Sequence, residues 1–104
     1  MSLNYGNMMK QAKIMKQKLL EMQEELKKME FAASAGGGAV KVKVNGDQEI
    51  VEVKIDKSIV DSGNMEMIED MVMVAVNDAV KQSKDEAKNK MAGLTGGMNI
   101  PGLF

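Results

Sequence analysis

The chain contains no cysteine, no histidine, no tryptophan and no arginine, and aromatic side chains make up only 3% of its 104 residues. Without cysteine there are no disulfides and no thiolate chemistry. Without histidine there is no imidazole base, and the usual zinc ligands are gone. All fourteen basic residues are lysine, a point charge suited to phosphate rather than the planar fork that reads guanine best. Long apolar runs are missing too. The longest is the six residues 71–76, against roughly 20 needed to span a bilayer, and no apolar block of the signal-peptide kind follows the N-terminus. The expectation is a soluble, cytoplasmic protein with no membrane partner. Catalysis would have to rest on carboxylates, lysines or the single tyrosine. Glu69-Asp70 and Asp85-Glu86 are adjacent acids that leave a helix on different sides, and Asp78 stands alone. No set of catalytic roles can be assigned to them, so no catalytic residue, metal, cofactor or small-molecule substrate is expected.

What is present is a repeat of seven. With Tyr5, Ala12, Leu19 and Leu26 at position a, residues Met8, Met15, Met22 and Met29 fall at position d. An a/d stripe kept over residues 5–29 predicts a helix about 38 Å long that packs on another helix. Its charge is sorted along its length. Lys10, Lys13, Lys16 and Lys18 meet no acid before Glu21, whereas Glu21, Glu24, Glu25 and Glu30 crowd the second half. The net charge of −1 conceals this partition. Twelve methionines raise the question of thioether metal ligands, but methionine at seam spacing is adaptable core filler far more often. Met8, Met15, Met22, Met29, Met67, Met71 and Met91 fall on packing stripes and are read as core.

After this helix, residues 31–35 are short and small, as in a strand that returns the chain. Gly36-Gly37-Gly38 follows. It opens a strand rather than a helix and lacks the Lys-Ser or Lys-Thr of a phosphate loop, so it is read as a turn with positive φ. Val40, Val42 and Val44 alternate with Lys41 and Lys43, and Val51, Val53 and Ile55 alternate with Glu52 and Lys54. Asn45-Gly46 between them predicts a type I′ hairpin and an antiparallel sheet with one apolar and one charged face. The charged face reads as ordinary cross-strand pairs. One helical turn is expected after Asp56, and Asn64 is placed to cap a second long helix with Glu66, Glu69 and Asp70 in its first turns. Ile68, Val72, Ala75 and Ala79 make one stripe for the sheet, while Met71, Val74 and Val76 are apolar on other faces. A second subunit is the natural cover for them, which makes those three the expected dimer interface. Lys81, Lys84 and Lys88 share one helical face. Four glycines and the single proline in residues 93–104 suggest a flexible tail behind a single domain of residues 1–92.

At this point the sequence resembles the YbaB/EbfC family of nucleoid-associated DNA-binding proteins. The resemblance is carried by Met8-Met9-Lys10-Gln11-Ala12, by the glycine run leading to Val40-Lys41-Val42, by Asn45-Gly46 and by Val53-Lys54-Ile55-Asp56. It continues through Glu69-Asp70, Ala75-Val76-Asn77-Asp78-Ala79 and Lys90-Met91-Ala92-Gly93-Leu94-Thr95-Gly96-Gly97, ahead of Pro101-Gly102. It implies an α+β subunit of order α-β-β-β-α, with a small antiparallel sheet and two long helices. Two subunits would form a tweezer-like homodimer that grips double-stranded DNA in the nucleoid, for nucleoid organisation or gene regulation. Carried onto this chain, the grip falls to Lys10, Lys13 and Lys16 of the first helix and Lys81, Lys84 and Lys88 of the last, with Lys18 and Lys90 beside them. The absence of arginine leaves phosphate contact as the main term. The competing expectation is a protein-interaction or scaffold module that docks a partner through the methionine-rich helix, its lysines merely solvated.

Overall fold

A computed structural model describes residues 5–95. Helix α1 (Tyr5–Lys28) leads into strands β1 (Glu30–Ala35), β2 (Val40–Asn45) and β3 (Ile50–Ile55); then come a short helix α2 (Lys57–Asp61) and the long α3 (Met65–Thr95). The strands form one antiparallel sheet in the order β1-β2-β3. The expected α+β order is therefore found, and the molecule extends over 76 × 21 × 16 Å.

Each junction has a local cause. Gly36, Gly37 and Gly38 all have positive φ, a region open to glycine without the penalty other residues incur. Asp56 caps α2 by accepting from Ser58 N, and Asn64 Oδ1 accepts from Met67 N at 3.1 Å to start α3. The β2–β3 hairpin differs from the predicted type I′ turn. Positive φ falls on Gln48, not on Asn45 or Gly46. Asn45 organises a longer loop instead, its Oδ1 accepting from Asp47 N at 2.9 Å and Glu49 N at 3.0 Å. Gly46 is needed for space: its N–H donates to Leu26 O at 2.8 Å, and a Cβ there would overlap that carbonyl.

The strand faces follow the predicted alternation with one change. Val40 pairs with Ile55 and Val42 with Val53, but Val44 lies opposite Ile50, so Val51 is the extra residue of a β-bulge. Ile50 thus takes the apolar-face place expected of Val51. α3 lies across β1 and β2. Ala33, Val40, Val42, Val44, Ala75 and Ala79 form the buried cluster, and Phe31, Ala35, Met71, Val72, Val76 and Val80 pack around it. Burial of each valine side chain contributes on the order of 1.5–3 kcal/mol. Ser83, fully buried on α3, donates its hydroxyl to Asn45 O at 2.8 Å, and Gln82 Nε2 donates to Ala32 O at 3.1 Å on β1. α3 continues through Gly93 and Leu94 to Thr95, three residues into the expected tail; the rest of that tail, residues 96–104, lies outside the described residues. Among the described residues no helix is long and apolar enough to cross a membrane.

Candidate nucleic-acid interface

The seven-residue stripe of α1 is engaged over only half its length. Leu26 is buried and Leu19, Met22 and Met29 are half-buried, whereas Tyr5, Met8, Ala12 and Met15 are exposed. The engaged half is the one that the described part of α3 runs beside. α3 runs alongside α1 in the opposite direction: Ser83 is held at Asn45 beside Leu26, Lys90 meets Glu25, and Leu94 lines a shallow groove with Lys18 and Met22. Residues 5–17 of α1, roughly 20 Å of helix, are exposed throughout and have no neighbouring element among the described residues.

The candidate lysines fall into three groups. Lys10, Lys13 and Lys16 are exposed on the free part of α1 and form no ion pair among the described residues. Lys81, Lys84 and Lys88 are exposed on α3, turned away from the buried Ala75, Ala79 and Ser83. Lys81 is paired with Asp85 at 3.2 Å, an exposed contact of i,i+4 spacing worth about 0.3–0.5 kcal/mol. Lys18 and Lys90 are brought together by the fold in the α1–α3 groove, about 260 Å³ in volume, with Glu21, Met22, Glu25 and Leu94. Lys90 Nζ lies 3.5 Å from Glu25 Oε2, so one of the two lysines is paired locally, and Glu21 stands in the same groove. Sequence reasoning missed this pairing because Glu25 and Lys90 are 65 residues apart and nothing local links them. Lys27 and Lys28, in the last turn of α1, sit where the helix dipole favours positive charge.

Of the residues expected at a dimer interface, Val74 is 57% exposed, while Met71 and Val76 are half-buried against the subunit's own core. A larger bare surface lies on β3. Ile50, Val53 and Ile55 share the face of the sheet that α3 covers at β2, yet they are 51%, 46% and 40% exposed. Val60 and Met73 are exposed as well. Among the described residues no group of acids could hold a metal ion.

Comparison with known proteins decides the kinship. The sequence profile of the YbaB/EbfC DNA-binding family matches residues 1–98. The chain belongs to that family. It is a DNA-binding family and not an enzyme family. Among curated relatives, a nucleoid-associated protein of Clostridium novyi is 47% identical over 102 residues, covering 98% of this chain and 90% of the relative. A nucleoid-associated protein of Clostridium kluyveri is 46% identical over 101 residues, covering 97% and 89%. The fold of this family member is similar to the crystal structure of an uncharacterized protein from Helicobacter pylori. The TM-score is 0.83 at 26% identity, over 91% of this chain and all of that one.

Proposed function

We propose that this chain is a nucleoid-associated protein that grips double-stranded DNA as a homodimer, mainly through lysine–phosphate contacts, in nucleoid organisation or gene regulation. The observation that carries the reading is the pair of exposed lysine rows, Lys10, Lys13 and Lys16 on α1 and Lys81, Lys84 and Lys88 on α3, in a chain of a DNA-binding family. The nucleoid-associated relatives support a nucleoid location in the cytoplasm. Lysine without arginine favours sequence-tolerant binding, since phosphate contacts position a protein on the duplex without reading its bases.

The homodimer is supported by the uncovered apolar half of the sheet. Monomeric proteins rarely leave a contiguous apolar surface of this kind to water. A second copy would cover Ile50, Val53 and Ile55 together with Met73 and Val74, and would place two free α1 helices in one particle. Lys18 and Lys90 contribute less, because Glu25 holds one of them.

Duplex binding measured by gel shift at several salt concentrations tests the reading. Six lysines on phosphates give a log–log slope of about −5, at roughly 0.9 per contact. Changing Lys81, Lys84 and Lys88 together to Glu is expected to abolish the shift. Unaltered binding by that variant, or no shift by micromolar wild type at low salt, rejects the DNA grip and leaves the scaffold reading. Sedimentation separately tests the dimer, which a folded monomer at micromolar concentration overturns.

A further inference from the structure

The sheet has a second face, turned away from α3, whose charges are not those of an ordinary cross-strand ladder. Two of its rows across the strands are Ala32–Lys43–Glu52 and Ser34–Lys41–Lys54, and a further row sets Glu30 opposite Asn45. The first row is internally paired, and Glu52 serves two lysines at once: Lys43 Nζ lies 3.7 Å from one carboxylate oxygen and Lys54 Nζ 3.7 Å from the other. The second row sets Lys41 directly opposite Lys54, an arrangement that opposes sheet pairing. Lys41 has no ion pair among the described residues. Within these two rows three ammonium groups share one carboxylate, while Glu30 stands in the next row and Asp56 lines a groove beside Lys41 and Lys54. The residues beside them on β1, Ala32 and Ser34, are small, and the surface sinks there into a depression of about 400 Å³.

We propose that this face is a second phosphate-binding surface, which holds the backbone of a second DNA duplex while the helices grip the first. The inference rests on the duplex-binding reading of this chain. Lysines are suited to phosphate as point charges. The depression has no aromatic, leucine, isoleucine or methionine among its lining residues, which insertion into a lipid surface or the anchoring of a partner helix would need. Lys41, which faces Lys54 and has no ion pair of its own among the described residues, gains a partner when a phosphate sits between the two ammonium groups. Because α3 covers the other side of the sheet, a duplex lying here approaches from the opposite side of the sheet to α3, so one particle can join two duplexes.

The test is capture of a labelled duplex in solution by the full-length protein already bound to a duplex on beads, for wild type, Lys41→Gln/Lys54→Gln and Glu52→Gln. Circular dichroism checks that all three are folded, and gel shift checks the first duplex. The double variant is expected to keep the gel shift and to lose capture about tenfold, as removal of two phosphate-binding lysines from each subunit implies. Glu52→Gln frees Lys43 and Lys54, so capture should rise and become more salt-dependent, a change opposite in sign that a merely structural role does not produce. Absence of capture by wild type that still shifts one duplex, or equal capture by the double variant, overturns the second face and leaves the helix grip standing. Absence of any gel shift by wild type overturns both.

Discussion

Strands β2 and β3 carry nearly the same alternation of valine or isoleucine with charge, yet they end in opposite conditions. Val40, Val42 and Val44 are at most 1% exposed, while Ile50, Val53 and Ile55, their partners across the same face, are 40–51% exposed. The difference does not lie in the strands. It lies in the reach of α3, which covers β1 and β2 and leaves β3 bare. Periodicity assigns a face to the core, but the width of the element laid on that face decides how much of it is buried. Helix α1 repeats the lesson: one stripe of leucine and methionine is packed where the described part of α3 runs beside it and exposed at Tyr5, Met8, Ala12 and Met15.

The largest expected effect comes from breaking the covered half. Val42→Asp places an unpaired carboxylate at a position only 1% exposed, a cost of roughly 3–5 kcal/mol, comparable with the whole stability of a small domain. Thermal denaturation should show no cooperative transition; a Tm near wild type would mean that the covered half is not the core. A smaller loss follows from Gly46→Ala, where the added methyl overlaps Leu26 O. Separating hairpin and helix there is expected to cost about 2 kcal/mol, or roughly 10 °C in Tm. At the bare half, Val53→Asp should change the fold's own stability by no more than about 1 kcal/mol. The same change should move sedimentation from dimer to monomer, and an unchanged sedimentation coefficient would remove β3 from the interface. Asp85→Asn, on the exposed side of α3, touches neither half. Loss of its contact with Lys81 should shift stability by less than about 0.5 kcal/mol, and freeing Lys81 should tighten duplex binding slightly in a low-salt titration.

Much of the fold was legible because its signals are local. The glycine run, the helical turn after Asp56, the cap at Asn64 and the valine alternation of β2 act within a few residues of themselves and appear where the pattern puts them. The hairpin was read less well. Asn45-Gly46 favours a tight turn, but the Asn45 side chain can close a longer loop, and Gly46 is required by Leu26, twenty residues earlier, rather than by its own φ. The bulge at Val51 was hidden for a related reason, since an extra residue in one strand is defined only by its partner. The lysine row on α3 followed from helical spacing and the lysines of α1 from the sorting of charge along that helix, and all six are exposed. The Glu25–Lys90 contact and the Lys41–Lys54 juxtaposition required the helices and strands to be set side by side.

By itself, then, the sequence determined the order of elements, the turns and the cap that bound most of them, the apolar face of β2 and of the long helices, and an all-lysine chemistry suited to phosphate. These are consequences of side-chain period and backbone preference within one segment. Only the tertiary structure decided which part of each apolar face is covered, which lysines are held by a carboxylate and which stand free. Burial and charge pairing depend on what lies opposite, and for Val42, Val53, Lys90 and Lys41 alike that neighbour comes from another element.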